Sequence, residues 1–393
     1  FGLCAQLFDA LAAQLRQAVG DAQAEAALSA LYARRAQQET AAGNLDRQET
    51  AAFYDLKNQH PQASLILSAA HDWDLLCQTC QWVTQHPDAF GATILDVGCD
   101  CGLLSCFLAQ TFPHSRITSI DRSANGIHAA QQLAERLGLA NITFLHADLE
   151  TLPSMEFDTV FSSRTVQENY DPLLENARFL PLTHQGRICA QVFQRYTGLL
   201  CQFVKSGGTF VTIERMERDR VFLGYCLALH SQGLDLVPES HQELHCQEGD
   251  HTTTLQAFCG IKEGRTTTTD AEDFFIATFQ DALTWQPRHL DVEGELILEL
   301  CAEELIRGHF LHNPQGVGKL AIYTSKFDPE ELFYYQGILG QPVQVHRLSR
   351  GELSDVLALL EADLATLTAS TLSAHPFSFQ DGVELLLEEM EED

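Results

Sequence analysis

The sequence predicts an α/β fold organised around a parallel sheet, and three observations carry that expectation. Between about 91 and 263, apolar runs of strand length alternate with helical patterns, as in strands joined by crossover helices. One run, Ile94-Leu95-Asp96-Val97-Gly98, passes straight into Cys99-Asp100-Cys101-Gly102 and a helical stretch. Glycines four residues apart permit a turn in which a Cβ would clash, and let the backbone approach a ligand closely. The next strand, Arg116 to Ile120, also ends in an acid, Asp121, twenty-three residues after Gly98. A carboxylate at that distance is where a mononucleotide fold holds ribose hydroxyls.

The elements follow in order. Residues 1–90 read as helical, with Leu3, Leu7, Leu11, Leu15 and Val19 on one stripe, a softer stretch at Gly43-Asn44, and further helix through Tyr54 and Leu75 to Val83. This region is expected to cap a ligand site or to form a dimer contact, so a homodimer is open; Tyr54 and Trp73 are candidates for a lid, although aromatics on an amphipathic helix more often belong to a core. After the glycine turn, a helix carrying Leu103, Leu104, Phe107, Leu108 and Phe112 stops at Pro113. Ile117 to Ile120 is the second strand, and its helix ends with Gly138 as C-cap. Ile142 to Leu145 and Phe157 to Phe161 are the third and fourth strands, and Ser206-Gly207-Gly208 turns into a fifth, Thr209 to Ile213. Stretches near 234–246 and 252–261, separated by Gly249-Asp250, read as a closing antiparallel hairpin.

Glu263 to Asp273, with four consecutive threonines, reads as a linker. Residues 270–393 carry more than half of the chain's net charge of −30 and are expected to form a small acidic α/β domain. Asp328-Pro329-Glu330-Glu331 has the order of a helix start, and Ser349 with Glu352 has capping-box spacing ahead of Leu353, Val356, Leu357, Leu360 and Leu364. Short strands are expected at Leu320 to Tyr323 and Val343 to His346.

Composition narrows the function classes. A net charge of −30 with 45% hydrophobic residues suits a globular protein and argues against a broad basic face for a phosphate backbone, so no nucleic-acid partner is expected. No apolar run approaches the roughly 18 to 20 residues of a membrane span, and no membrane partner is expected. Twelve cysteines without framework spacing fit reduced thiols and a cytoplasmic location. Cys77-x-x-Cys80 reads as a structural pair on a packed helix, and His241, His245, Cys246 and His251 lack the fixed spacing of a metal site. No metal is expected.

In these residues the chain resembles the class I S-adenosylmethionine-dependent methyltransferases. The resemblance rests on Asp96-x-Gly98-x-x-x-Gly102, Asp121, His146-Ala147-Asp148-Leu149 after the third strand, Gly207-Gly208-Thr209-Phe210 before the fifth, and the closing hairpin. It covers about 91–263 and neither flank. It implies a Rossmann-like seven-stranded methyltransferase sheet with a helical N-terminal region (1–90), a cofactor-binding domain (91–263) and an accessory domain (270–393). It implies S-adenosyl-L-methionine as cofactor, held by Asp96, Gly98, Cys99, Gly102, Asp121, Arg122, Asp148, Leu149 and Ser162. Asp121 would accept from both ribose hydroxyls, and Asp148 from the adenine amino group, with Leu149 offering a backbone N–H.

One position departs from the family: its middle loop glycine is Asp100 here. A side chain there is tolerable at negative φ, and its carboxylate should point away from the cofactor's own. Asp100 and Leu103 also tell against a dinucleotide G-x-G-x-x-G loop, and no Gly-Lys-Ser/Thr marks a phosphate loop.

The acceptor is less legible. Ser162-Ser163-Arg164-Thr165-Val166-Gln167-Glu168-Asn169-Tyr170 lacks the Asn/Asp-Pro-Pro-Tyr of enzymes that methylate adenine N6 or glutamine. Ser163, Arg164 and Gln167 are the candidate substrate-binding residues and Glu168 the candidate base, while Glu214 and Arg215, placed after the fifth strand, share its ambiguity between site and solvated charge. A small molecule is the expected acceptor, a cationic peptide or protein the next choice. The alternative is a non-catalytic protein that keeps the fold as an interaction module.

Overall fold

The computed structural model describes residues 13–20, 22–24, 54, 57–166, 182–216, 219–248, 251–262, 271–278, 289–290, 301–313, 316–326, 328–337, 343–368 and 373–376. These fall into two compact units. The first takes described residues within 1–172, 190–217 and 225–274, the second those within 173–189, 218–224 and 275–393. Of the N-terminal stripe, Leu3, Leu7 and Leu11 lie outside the described residues, while Leu15 is helical and buried.

The first unit is built on one sheet. Its strands are β1 (Thr93–Val97), β2 (Arg116–Asp121), β3 (Ile142–His146), β4 (Phe157–Ser163), β5 (Val204–Arg215), β6 (Leu234–Leu236), β7 (Gln242–Glu248) and β8 (His251–Lys262). They lie in the order β3-β2-β1-β4-β5-β8-β6, and β7 also pairs with β8. The sixth strand of the expected seven is thus interrupted: β6 and β7 both pair antiparallel with β8, one at each end. Five strands run parallel, and β1 is buried along Ile94–Val97 as a central strand covered on both faces must be.

Register explains where a ligand can sit. Val97 lies opposite Ile120 on one side and Ser162 on the other, and Asp121 lies opposite His146. The loops after β1, β2, β3 and β4 therefore leave one edge of the sheet together. The chain passes from β1 to β2 on one side and returns to β4 on the other, so the loops after β1 and β4 diverge at the switch point and leave a crevice.

Helices flank the sheet: α1 (Pro61–His71), α2 (Trp73–Gln85), α3 (Leu103–Thr111) and α4 (Ala124–Leu137); α5 (Leu182–Cys201) and α6 (Arg220–Ser231) each begin in the second unit and end in the first. Ser123 caps α4 by accepting from Gly126 N–H, and Gly138 ends it at φ 67°, in the expected role. Trp82 of α2 is fully buried among Ile94, Leu108, Phe161 and Val211, and its indole N–H donates to the Ser240 carbonyl at 3.0 Å. Asp74 accepts from Gln247 N–H at 2.7 Å and Gln78 donates to the His245 carbonyl at 2.8 Å, so α2 covers the outer edge of β7 and keeps it from pairing elsewhere. Trp73, the lid candidate, is 66% exposed at the start of the same helix.

Two expectations in this unit are corrected. The glycines before Thr209 do not turn into a strand but bulge within one. Phe157 pairs with Val204 and Thr159 with Thr209, so residues 205–208 loop out, with Gly207 at φ 74° and Lys205 paired to Asp158. Glu214 and Arg215 accordingly lie in β5, not after it. The run of strand formers Phe210-Val211-Thr212-Ile213 carries the ladder on through both, because β8 supplies partners as far as Leu255.

The second unit holds an antiparallel sheet of β9 (His289–Leu290), β10 (Ala302–Asn313), β11 (Gly316–Ser325), β12 (Glu331–Gly337), β13 (Val343–Ser349) and β14 (Ser373–Pro376), in the order β14-β10-β11-β12-β13-β9. A helix, Leu353–Thr368, buries Val356 and Leu360 with Leu311, Leu320, Ile322 and Tyr334. Its start is the expected capping box of Ser349 and Glu352. The helix expected at Asp328 is instead a turn. Glu331 N–H donates to the Asp328 carbonyl at 3.0 Å and Glu330 N–H to its carboxylate at 2.9 Å. Acid-proline order serves a tight turn as well as a helix start, and Leu332-Phe333-Tyr334-Tyr335 takes the chain into a strand. Among the described residues no helix is long and apolar enough to cross a membrane.

Candidate active site

The glycine turn sits at the mouth of the crevice. Gly98 has φ 74°, and a Cβ on it would lie 2.6 Å from the Thr165 side chain. Gly102 has φ 81°, and a Cβ there would meet Ala130 of α4 at 2.5 Å. Both positions thus demand glycine twice over, for conformation and for space. Four backbone N–H groups of the turn are engaged by the protein: Gly98 and Cys99 donate to the Ile120 carbonyl, Gly102 to the Cys99 carbonyl, and Asp100 to the Asp121 carboxylate at 2.8 Å. A phosphate needs such donors free; S-adenosylmethionine carries no phosphate, so a turn closed on itself fits it.

Asp100 is the unexpected residue. Its φ is 48°, in the left-handed region rather than at the negative value a side chain prefers. Its carboxylate does point away from the turn, toward the segment ahead of α1. Lys57 Nζ reaches Oδ2 at 2.5 Å, Asn58 Nδ2 donates to Oδ1 at 2.8 Å, and Ser68 Oγ donates to Oδ2 at 3.4 Å. Burial alone would raise the Asp100 pKa, but attraction to Lys57 and these donors hold it below the usual carboxylate value. Burial likewise opposes the Lys57 charge, and Asp100 holds the ammonium above the ordinary lysine value.

The other acids do three different things. Asp121 ends β2 half-buried, with Oδ2 accepting from Asp100 N–H and Oδ1 from Ser123 N–H at 2.7 Å. A carboxylate oxygen has two acceptor sites, so each retains one for a ribose hydroxyl. Burial holds its pKa above the usual value, against the Ser123 bond. Asp96 is 2% exposed and accepts from Ser105 Oγ at 2.5 Å, which ties β1 to the first turn of α3; burial pushes it up to about 6. Asp148 caps the turn after β3 by accepting from Glu150 N–H at 3.0 Å, with Leu149 buried beneath. Arg122 is exposed, and its carbonyl accepts from His146 Nε2 at 2.9 Å. The thiol of Cys99 is held well above its ordinary pKa by burial, and that of Cys101 is pushed up to about 11, so both stay protonated at neutral pH.

The loop after β4 forms the opposite wall. Ser162 is fully buried, and its hydroxyl is shared between Thr165 Oγ1 at 2.7 Å and Glu214 Oε1 at 2.9 Å. It serves the loop from beneath rather than facing the crevice. Ser163 Oγ is buried without a hydrogen-bond partner among the described residues. Arg164 has φ 57° and pairs with Asp72, between α1 and α2, at 3.0 Å. Gln167 and Glu168 lie outside the described residues.

Sequence reasoning missed Lys57 and Asn58 and placed Glu214 beyond its strand. Lys57 and Asn58 sit in an unremarkable helical stretch, and only the anomalous Asp100 signalled that something must pair with it. Glu214 was read as a solvated or site charge, yet it is 0% exposed. It accepts from Ser162 Oγ and from Thr165 and Val166 N–H at 3.2 Å each. Burial pushes it up to about 7, against these three donors.

Residues 89–257 match the model of a methyltransferase domain. Ribosomal RNA small subunit methyltransferase G of Chlorobium luteolum is 36% identical over 106 residues, which is 27% of this chain and 42% of that protein. Malonyl-[acyl-carrier protein] O-methyltransferase of a Paenibacillus species is 26% identical over 162 residues, 41% of this chain and 55% of that one. The chain spans about half the length of the curated relatives it matches. Among solved structures, magnesium protoporphyrin IX methyltransferase from Synechocystis PCC 6803 with bound SAM aligns at TM-score 0.36 and 15% identity, over 58% of this chain and 90% of that one. The relatives named for ribosomal RNA overturn the expectation that nucleic acid is excluded as a partner. Net charge averages the whole chain and says nothing of one local face.

Proposed function

Residues 89–257 belong to the class I S-adenosylmethionine-dependent methyltransferases, and from that premise we propose that the chain transfers the methyl group of S-adenosylmethionine to a small-molecule or cationic-peptide acceptor in the cytoplasm. One observation carries the cofactor end of this reading. The turn at 98–102 spends four of its N–H groups on the protein, while Asp121 beside it keeps acceptor sites on both oxygens. That combination suits a ribose diol without phosphates. Bound there, the cofactor supplies an electrophilic methyl on sulfonium sulfur. The chain's own part is to hold it by Asp121 and Asp148, pack it with Gly98 and Gly102, and set the wall formed by Ser163 and Arg164 against it.

A second reading, transfer to RNA, is favoured by the relatives named for ribosomal RNA, which match over 106 residues in one case and 163 in another. In both readings residues 1–90 serve as a cap or a dimerisation region, 91–263 as the catalytic domain and 270–393 as an accessory domain. A labelled-methyl screen against metabolite, basic-peptide and ribosomal RNA pools separates them. Label in metabolites or peptides supports the first reading, label in RNA replaces it with the second, and no transfer to any pool by a chain that binds the cofactor favours the non-catalytic alternative.

A further inference from the structure

We propose that Lys57 is a positioning residue of the cofactor site, holding Asp100 in its left-handed conformation and through it the orientation of Asp121. The inference rests on reading the 98–102 turn as the cofactor cradle. Asp100 and Arg164 are the two non-glycine residues with positive φ among the described residues. Each lies in a loop lining the crevice, one after β1 and one after β4, and each is ion-paired to the segment 57–72. Lys57 holds Asp100 at 2.5 Å, and Asp72 holds Arg164 at 3.0 Å. A conformation that a side chain resists persists where the surroundings over-determine it, and here the surroundings are one segment with an ion pair at each end.

The Lys57 arm is the more completely built. Asn58 donates to the other Asp100 oxygen and in turn accepts from Ser64 Oγ at 2.5 Å. Gly126 of α4 leaves room for this packing: a Cβ on it would stand 3.0 Å from both Asn58 Nδ2 and the Asp100 carbonyl. The Tyr54 ring lies 5.4 Å from the Lys57 ammonium. The consequence reaches the ligand site through one bond. Asp100 N–H fixes Asp121 Oδ2 at 2.8 Å, and φ at Asp100 sets that N–H relative to the side chain that Lys57 anchors. Lys57 also neutralises a carboxylate that would otherwise repel Asp121. The chain thus replaces the family's loop glycine with an acid and supplies the cation and amide that make the acid tolerable.

The test is calorimetric titration of S-adenosylhomocysteine into the full chain as wild type, Lys57→Met, Lys57→Met/Asp100→Gly, and Leu67→Ala. Leu67→Ala empties a buried site of α1 without touching the pair. Titrations are run where circular dichroism shows each variant folded. Lys57→Met, which leaves a buried carboxylate unpaired, is expected to weaken binding about tenfold or more. The double variant, whose glycine takes positive φ freely and leaves no charge to satisfy, is expected to recover to within about threefold of wild type. Leu67→Ala is expected to bind as wild type. Should Lys57→Met fail to fold, the double variant against wild type decides: recovery supports the proposal, and weak binding overturns it. Undiminished binding by Lys57→Met, or an equal loss in Leu67→Ala, also overturns the proposal while leaving the cofactor reading intact. A wild type that binds no S-adenosylhomocysteine removes the cofactor reading itself.

Discussion

The loops after β1 and β4 face each other across the crevice and reach comparable shapes by opposite means. The first, 98–102, takes its curvature from Gly98 and Gly102, whose φ values of 74° and 81° cost glycine little. The second, 163–166, contains no glycine. It is held from below by the buried carboxylate of Glu214, which gathers Ser162 Oγ and the N–H groups of Thr165 and Val166, and from the side by Asp72 on Arg164. Backbone freedom shapes one loop, and a buried carboxyl group shapes the other. The first kind of loop writes itself into local sequence and the second does not.

The difference can be broken at either loop. The largest effect is expected at Gly102. Gly102→Val sets a branched side chain against Ala130 at positive φ, and should destabilise the first unit by roughly 3 kcal/mol or more, read as a fall in the midpoint of thermal or urea unfolding. The second loop should yield next, at Glu214. Glu214→Gln keeps the shape but turns one acceptor oxygen into a donor facing a loop N–H, with an expected cost of about 1–3 kcal/mol. The same substitution sharpens the comparison by pH. Burial raises the Glu214 pKa from 4.5 to about 7 in the fold, so folding favours the neutral acid. Stability from this group is full below pH 4.5 and is lost as pH rises through about 7. Urea unfolding at pH 5 and pH 8 should show a decline in wild type that is smaller in Glu214→Gln, and an equal decline in both would remove Glu214 from the account. Smallest is Asp72→Asn, a partly exposed pair worth about 0.5–1 kcal/mol. Its unfolding midpoint should barely move, while proteolysis near Arg164 should quicken.

This contrast also explains how much was legible beforehand. Gly98, Gly102, Asp121 and Gly138 announce themselves because each does a job that few residue types can do, and the order of the parallel strands follows from their spacing. The capping box at Ser349 and Glu352 is likewise local and was readable. Acid-proline at Asp328 was misread because a turn and a helix start share the same first residues, and the choice is made by the β-forming aromatics that follow. Glu214 was misplaced because its burial depends on β8, some forty residues later in the chain, closing over β5. Lys57 was missed for the same reason: nothing within its own helix shows that Asp100 stands above it. Ser162 reads in the sequence as a cofactor-holding residue, while in the fold its hydroxyl is taken up by Glu214 and Thr165.

The central claim is that the 98–102 turn and Asp121 together bind S-adenosylmethionine. Calorimetric titration of S-adenosylmethionine and S-adenosylhomocysteine into the full chain, with Asp121→Ala beside it, tests this most directly. Wild type should bind both with one site, and Asp121→Ala, which loses the acceptor for two hydroxyls, should bind about a hundredfold more weakly or not measurably. Wild type that binds neither ligand, or Asp121→Ala that binds both as tightly as wild type, would contradict it.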